Sequence, residues 1–288
     1  MRPAVITPMV TPFNPDGSIS LEMTESLISN MKKFRVDGAF PMGSTGVFPW
    51  ITAEERLKFL QFVAENADGM DLYAGVASPC VEDAIGMASR SEDMGYDFAV
   101  LPPPYYIKPG DEGLREYYSK ILGSVDIKFL IYNIPQFTGY YIPFKVLENL
   151  AIQNSNFVGI KDSSGDIRYH ERLLRLKTRA FSLYQGQDDL FLQSVLLGSD
   201  GGVCGTTNFA PYVVEMSRLV ESGKLQDATS IQSEKINPMI DALKNDDYPS
   251  TYYYAFYKSI NGNGGYRTPM TRPVNSSTHK IDELLSQV

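Results

Sequence analysis

The chain has 288 residues, of which 43% are hydrophobic and 21% charged, so it can form a large core and does not resemble a disordered protein. Its formal net charge of -8 and its lack of a basic cluster among aromatic residues argue against nucleic acid and anionic membranes as partners. Apolar runs stay well below the roughly 20 residues of a membrane span, and the N-terminal segment lacks a signal-peptide pattern. Because Cys80 and Cys204 are isolated thiols, we expect a cytoplasmic protein without a disulfide framework.

Short apolar runs alternate along the chain with segments of helical periodicity, which is the pattern of repeated βα units. Eight such runs predict strands at residues 4–10, 38–42, 71–77, 97–101, 128–134, 157–161, 181–185 and 201–205. The segments between them are amphipathic, as in residues 52–66, which begin with the capping box Thr52-Ala53-Glu54-Glu55. Eight βα units predict an α/β fold of the (β/α)8 TIM-barrel type, with its chemistry at the carboxyl ends of the strands.

After the eighth unit the pattern becomes purely helical, with predicted helices at residues 225–243, 251–260 and 280–285. We therefore predict a barrel that carries the active site in residues 1–222. Residues 223–288 are predicted to form a C-terminal helical extension packed on that barrel.

The two histidines, His170 and His279, both lie in polar segments of helical pattern, and we expect both at the surface. Two surface histidines make a poor zinc site of the metal-dependent aldolase type. The sequence therefore predicts a reaction that needs no metal and no other cofactor.

A lysine that ends a short apolar run, Lys161, is the feature on which the functional interpretation depends. Buried lysines are rare, and the simple alternative is that Lys161 extends from a strand end into solvent. Strand alternation places Val158 and Ile160 on one face of the strand. Gly159 and Lys161 then share the other face, where the glycine leaves room beside the amine. Burial disfavours the charged form of an amine, and a neutral amine condenses with a ketone to form a Schiff base.

Two other strand ends carry groups that suit chemistry on a small keto acid. Gly43-Ser44-Thr45-Gly46 follows the second run, and such a loop offers backbone amides to an anion such as a carboxylate. Tyr132 lies at the end of the fifth run, next to the strand of Lys161. A tyrosine there usually only packs, but a phenol near a Schiff base can transfer a proton, with Ser44 or Thr45 completing a relay. All three features lie at the carboxyl ends of strands, as a single site requires.

Four motifs resemble, in order and spacing, the pyruvate-dependent class I aldolases of the dihydrodipicolinate synthase and N-acetylneuraminate lyase superfamily. They are Gly43-Ser44-Thr45-Gly46, Pro102-Pro103-Pro104-Tyr105-Tyr106, Tyr132-Asn133-Ile134-Pro135 and Gly159-Ile160-Lys161-Asp162. The resemblance, which spans the whole barrel, implies that Lys161 forms the Schiff base with pyruvate and that Tyr132 shuttles the proton. It implies that Ser44 and Thr45 hold the carboxylate. It further implies that Tyr106 reaches the site of a neighbouring subunit in a homotetramer built as a dimer of dimers.

The segment that follows the tyrosine motif, Gln136-Phe137-Thr138-Gly139, bears on the aldehyde partner. The synthase pattern has an arginine there for the carboxylate of aspartate semialdehyde, whereas this chain has Phe137. Phenylalanine cannot bind a carboxylate, and losing a charged hydrogen bond costs about 1.5 to 3 kcal/mol. Phe137 therefore counts against the synthase activity and is a candidate contact for a different substrate.

The segment Gly186-Gln187-Asp188-Asp189 resembles the sugar-contacting Gly-x-Asp-Glu stretch of the neuraminate lyases. This resemblance makes Gly186, Gln187 and Asp188 candidate substrate contacts. For Asp189 the alternative is a helix N-cap.

An apolar residue, Val47, follows Gly46 where synthases and lyases have an acidic residue, which is closer to the 2-keto-3-deoxygluconate aldolases. We therefore predict cleavage of that acid, or of a close keto-deoxy sugar acid, to pyruvate and glyceraldehyde. Lys108 is the only cation evident near the tyrosine loop, which favours an unphosphorylated substrate.

Several other activities fit the same motifs. The chain could act as an N-acetylneuraminate lyase, as a dihydrodipicolinate synthase, or as a dehydratase that converts a keto-deoxy sugar acid through the same imine. A keto-acid sensor without turnover is the alternative outside the enzymes. The presence of both Lys161 and Tyr132 argues against the sensor.

Overall fold

The computed structural model of the protein describes residues 2–178 and 180–288, with residues 275–277 described by their backbone only. Eight parallel strands close into a barrel in chain order, and β1 pairs with both β2 and β8. The strands are β1 (Ala4–Pro8), β2 (Gly38–Phe40), β3 (Asp71–Gly75), β4 (Phe98–Leu101), β5 (Lys128–Asn133), β6 (Phe157–Asp162), β7 (Ser182–Gln185) and β8 (Gly201–Val203). The predicted (β/α)8 barrel is therefore confirmed.

Helices surround the barrel and continue beyond its last strand. Those between or directly after the strands are α1 (Leu21–Phe34), α2 (Ala53–Asn66), α3 (Val81–Asp93), α4 (Asp111–Leu122), α5 (Pro135–Thr138), α6 (Phe144–Gln153), α7 (Ile167–Leu173), α8 (Phe191–Leu197) and α9 (Tyr212–Glu221). The later helices are α10 (Leu225–Ile231), α11 (Asn237–Leu243), α12 (Ser250–Ser259) and α13 (Asn275–Leu285). No helix in the described ranges is long and apolar enough to cross a membrane.

Local sequence signals account for most element boundaries. Thr52 caps α2 through reciprocal bonds with Glu55, as the capping box predicts. Strand β1 ends before the predicted run does, because the backbone N–H of Val10 donates to the side chain of Asn208 and not to a strand neighbour. The predicted helix at residues 225–243 is interrupted by a π turn at Gln232–Ile236, just before Pro238, which lacks the N–H of a regular helical residue.

The strand that carries Lys161 differs in one respect from simple alternation. Ile160 belongs to the core layer between strands and helices, whereas Val158 packs against the barrel interior. The prediction that these two residues share a face is wrong, because the register between β5 and β6 shifts at Phe129 and Leu130. Gly159 is needed where it lies, since a Cβ there would meet the Leu130 side chain and a neighbouring backbone oxygen at 2.6 Å.

The helices after the barrel cover part of its carboxyl end. Helix α11 packs against the turn Asp188–Leu190 after β7, and α12 packs against the turn Gly205–Asn208 after β8. Two phenols of α12 accept backbone N–H groups of the loop after β1, Tyr253 from Thr11 and Tyr257 from Phe13, both at 3.0 Å. These contacts bring residues far apart in sequence to the carboxyl end of the barrel. The division of the chain into a barrel and a C-terminal extension at residue 222 stays a prediction.

Candidate active site

Lys161 lies inside the barrel near the carboxyl end of β6, with 4% of the residue exposed. Its Nζ is 4.0 Å from the ring centroid of Tyr132 and 4.9 Å from that of Phe40. The amine therefore lies over two aromatic faces. In the part of the chain that the structure describes, it forms no ion pair. The alternative in which Lys161 extends into solvent is therefore wrong, and the amine faces an enclosed space.

Tyr132 lies beside Lys161 on the neighbouring strand β5, and the two residues are direct partners in the parallel register. The tyrosine is 4% exposed, and its hydroxyl accepts a hydrogen bond from Ser163 Oγ at 3.3 Å. Ser163 directly follows β6 and lines the same space as the amine. A phenol, a serine hydroxyl and a lysine amine thus lie together at one strand end, as proton transfer beside an imine requires.

Lys161, Tyr132 and Ser163 line a cavity of about 260 Å³ at the carboxyl end of the barrel. Its lining includes the polar residues Thr45, Gln136, Ser163 and Asp188 and the apolar residues Pro8, Ile134 and Val203. A second cavity of about 240 Å³ lies next to it and shares Ile134, Phe137 and Tyr248 with the first. The remaining lining of the second cavity is Ser44, Val47, Phe48, Pro49, Trp50, Pro102, Tyr105, Thr138 and Pro249.

The loop Gly43-Ser44-Thr45-Gly46 divides its two hydroxyls between the cavities. Thr45, 6% exposed, lines the cavity of Lys161, and its Oγ1 lies 2.9 Å from the hydroxyl of Tyr248. Ser44 lines the second cavity instead. The loop is bounded by Met42 and Val47, which both adopt positive φ, so the chain turns sharply here. Of the two predicted carboxylate contacts, Thr45 is therefore the one that faces the amine.

The segment after β7 also lines the cavity. A Cβ on Gly186 would lie 1.9 Å from Ser163 Oγ, so glycine is what allows the serine to approach. Gln187 donates from Nε2 to the backbone oxygen of Ser163 at 2.9 Å. The carboxylate of buried Asp188 accepts from the N–H of Gly205 and of Thr206, both at 2.9 Å, and from the Thr206 hydroxyl at 2.6 Å.

Asp188 thus lines the cavity and also binds the loop after β8. Its burial raises its pKa, while the hydrogen bonds from Thr206 and Gly205 act in the opposite direction. Because the carboxylate holds the loop after β8, Asp188 ties two strand ends together as well as lining the cavity. The N-cap alternative considered for Asp189 is not what the structure has: its carboxylate pairs with Lys244 at 2.8 Å.

Phe137 and Tyr106 occupy contrasting positions. Phe137 lies on the short helix α5, is 55% exposed, and contacts the Tyr248 ring with centroids 5.5 Å apart. It lines both cavities. Tyr106 is 97% exposed with a positive φ of 74° and lines neither of them. Among the described residues, Tyr106 and Gly43 are thus the predicted site residues that line neither cavity.

Sequence reasoning missed the part of the site that follows the barrel. Tyr248, Tyr252 and Lys244 line the cavity of Lys161, although they lie more than 80 residues further along the chain. The predicted cation, Lys108, instead contacts the Tyr140 ring at 5.4 Å and lines neither cavity. The missed residues carry no local motif, so only the packing of α11 and α12 reveals them.

A hydrogen-bond network surrounds the buried side chain of Asp162, the last residue of β6. The Asp162 carboxylate accepts from Asn133 Nδ2 at 2.8 Å and from the N–H and hydroxyl of Ser164, each at 3.1 Å. Its Oδ2 lies 3.0 Å from His170 Nδ1, and His170 Nε2 lies 2.7 Å from Ser199 Oγ. His170 is completely buried, so the prediction that it is a surface residue is wrong, because its ring is satisfied at both nitrogens. His279 is exposed, as predicted.

Replacing Asp162 with alanine is expected to destabilise the fold by about 3 kcal/mol or more. The change leaves the buried side chains of Asn133 and His170 without an acceptor, and each unsatisfied buried group costs about 1 to 3 kcal/mol. Chemical denaturation monitored by circular dichroism measures the difference. Glu148→Ala, which removes an exposed ion pair with Lys145, is the control and should leave the midpoint nearly unchanged. An equally small effect of Asp162→Ala would contradict the proposed importance of the network.

Within residues 2–178 and 180–288, no three or more His, Cys, Asp or Glu residues come together in a way that could hold a metal ion. Cys80 and Cys204 are both free thiols. The expectation of a reaction without metal or other cofactor stays a prediction.

A parallel eight-stranded barrel with a lysine and a tyrosine side by side at its carboxyl end defines a class I aldolase, which uses a lysine amine for covalent catalysis. Comparison with known proteins agrees with this class. The model of the dihydrodipicolinate synthetase family matches residues 2–288, and the chain belongs to that family.

Two relatives and one solved structure are particularly similar. The chain is 43% identical over 264 residues to the 2-dehydro-3-deoxy-D-gluconate/2-dehydro-3-deoxy-phosphogluconate aldolase of Picrophilus torridus, covering 92% of this chain and 98% of that protein. It is 41% identical over 288 residues to an uncharacterized DapA-like lyase of Thermoplasma acidophilum, covering 100% and 99%. The solved 2-keto 3-deoxygluconate aldolase of Picrophilus torridus superposes with a TM-score of 0.92 at 42% identity, covering 95% of this chain and 99% of that one.

Proposed function

We propose that this class I aldolase cleaves 2-keto-3-deoxygluconate, or a close keto-deoxy sugar acid, to pyruvate and glyceraldehyde. The observation that carries the proposal is the buried Lys161 amine, 4.0 Å from the centroid of the Tyr132 ring, in the lining of a cavity that also has polar residues. The names of the Picrophilus torridus relatives support this substrate class.

In the proposed reaction the amine of Lys161 attacks C2 of the keto acid, and loss of water gives an iminium ion. Removal of the C4 hydroxyl proton then breaks the C3–C4 bond as C4 becomes the aldehyde carbon. The electron pair of that bond forms a C2=C3 double bond while the π pair of the iminium ion moves onto nitrogen, which gives an enamine. Glyceraldehyde leaves, C3 of the enamine is protonated, and hydrolysis releases pyruvate and the free lysine. Tyr132 is proposed to carry the protons, with Ser163 as its hydrogen-bond partner at 3.3 Å.

The two ends of the substrate are assigned to different residues of the cavity lining. Thr45 is proposed to bind the carboxylate, and Ser44 and Gly43, in the same loop, are proposed to support it. Gly186, Gln187 and Asp188 also line the cavity and are proposed to contact the sugar hydroxyls. Phe137 contributes an aromatic surface where an arginine would serve a second carboxylate.

The unphosphorylated acid is the proposed substrate. Lys244, on the cavity wall, is already paired with Asp189 at 2.8 Å, so its charge is compensated. A phosphate would compete with that carboxylate for the lysine.

The proposal includes a homotetramer built as a dimer of dimers, with Tyr106 reaching a neighbouring site. Tyr106 and Ile107 support it, because these two large apolar side chains of the loop between β4 and α4 are 97% and 74% exposed.

The test is a panel of keto acids assayed for pyruvate release, with 2-keto-3-deoxygluconate, its 6-phosphate and N-acetylneuraminate as substrates. A separate assay follows condensation of pyruvate with aspartate semialdehyde. We expect 2-keto-3-deoxygluconate to give the highest kcat/KM, with pyruvate and glyceraldehyde formed in equal amounts. A product that keeps all carbons would instead identify a dehydratase, and imine formation without turnover would identify a sensor.

A further inference from the structure

Tyr248 lies between α11 and α12 and places its hydroxyl at the wall of the active-site cavity. The hydroxyl is 2.9 Å from Thr45 Oγ1, in a contact in which either oxygen can donate. The ring is held between Phe137 and Tyr252, with centroid distances of 5.5 Å and 5.6 Å. The residue is 43% exposed overall, yet burial raises the pKa of the phenol above its ordinary value, so it remains a proton donor at neutral pH.

The direction of this bond follows from what Thr45 has to do. A threonine hydroxyl has a single proton to donate and two lone pairs to accept with. A ligand carboxylate can only accept, so the proton of Thr45 must point at the ligand. The bond to Tyr248 then has to run the other way, with the phenol donating to a lone pair of Thr45.

We propose that Tyr248 is a positioning residue, whose phenol donates to Thr45 and thereby directs the threonine proton toward the carboxylate of the bound keto acid. This inference rests on the proposed function, because it takes Thr45 as the carboxylate contact. In this proposal, a residue that lies after the barrel helps to bind the keto-acid half of the substrate.

The proposal predicts a defect in binding and not in the chemical step. The carboxylate contact exists both in the imine and in the transition state, so losing it raises the half-saturating concentration without lowering the maximal rate. For Tyr248→Phe we expect the half-saturating concentration of pyruvate to rise about 10-fold, the scale of a lost hydrogen bond near a charge. The maximal rate of imine formation should change by less than about 3-fold.

The experiment measures covalent labelling of the whole protein by pyruvate and borohydride, as a function of pyruvate concentration, with mass spectrometry as the readout. The variants are Tyr248→Phe, Thr45→Val and the double variant. If Tyr248 acts through Thr45, the double variant binds pyruvate no more weakly than Thr45→Val alone. Thr45→Ser, which keeps the hydroxyl, should bind close to the wild type.

Two controls separate positioning from a general structural effect. Tyr254→Phe removes a phenol hydrogen bond of the same length, 2.9 Å to Asp282, on α12 away from the cavity, and should leave labelling unchanged. Methyl pyruvate keeps the ketone but lacks the negative charge, so Tyr248→Phe should weaken its labelling much less than that of pyruvate. Circular dichroism checks that each variant is folded.

The outcomes separate the inference from the proposed function. If the wild type takes no label at Lys161, the Schiff-base function itself is wrong. If the wild type is labelled but Tyr248→Phe shows an unchanged half-saturating concentration, the positioning role is overturned. Additive effects of Tyr248→Phe and Thr45→Val, or an equal loss with methyl pyruvate, would overturn it as well.

Discussion

Replacement of Lys161 with methionine is expected to reduce pyruvate release by about 10⁴-fold or more, the scale of losing a covalent nucleophile. Methionine keeps an unbranched side chain of similar length, so the packing against Phe40 and Tyr132 should remain. Without the amine no imine forms, and borohydride with pyruvate should add no label. Wild-type protein should gain one label on the peptide that contains Lys161.

Lys244 offers a matched control for this experiment, because it is a second lysine on the wall of the same cavity. Lys244→Met should retain the single label on Lys161. Labelling of another residue, or turnover by Lys161→Met close to that of the wild type, would refute the Schiff-base mechanism.

The second large effect is expected for Tyr132→Phe, where turnover should fall by roughly 100-fold or more, the usual scale of general acid-base catalysis. The ring remains beside the lysine, and the change removes only the hydroxyl that bonds Ser163 at 3.3 Å. Stability should fall by only about 1 kcal/mol for that bond. The measurement is pyruvate release from 2-keto-3-deoxygluconate by folded protein, together with its circular dichroism spectrum.

Tyr140→Phe is the matched control for the phenol. Tyr140 lies in the segment after β5 and donates a hydrogen bond to the backbone oxygen of Pro104 at 2.7 Å, but it lines neither cavity. Its loss should leave turnover nearly unchanged. Near-normal turnover in Tyr132→Phe would show that this tyrosine only packs and that protons move by another route.

The fold was predictable because its signals are local and repeated. Each strand is a short apolar run, each helix has its own periodicity, and the capping box at Thr52 marks a helix start without reference to anything distant. The shifted register at Phe129 was not predictable, because a bulge depends on how two strands meet and not on either sequence alone.

The site was predictable only where strand order decides proximity. Lys161 and Tyr132 lie on neighbouring strands and are adjacent in the structure, while their roles stay predictions. The burial of His170 was missed, because a short polar helix does not reveal which face meets Asp162 and Ser199. Tyr248 and Lys244 were missed because tertiary packing alone brings them to the barrel mouth.

This arrangement of the cavity walls bears on how such an enzyme can evolve. The strands of the barrel supply the amine and the phenol, whereas α11, α12 and the segment between them supply other residues of the cavity lining. Mutations in the later residues can reshape that cavity without disturbing the strand that holds Lys161. The lysine and the tyrosine can thus stay unchanged while the rest of the cavity lining diverges between descendants, except at Tyr248, which contacts Thr45.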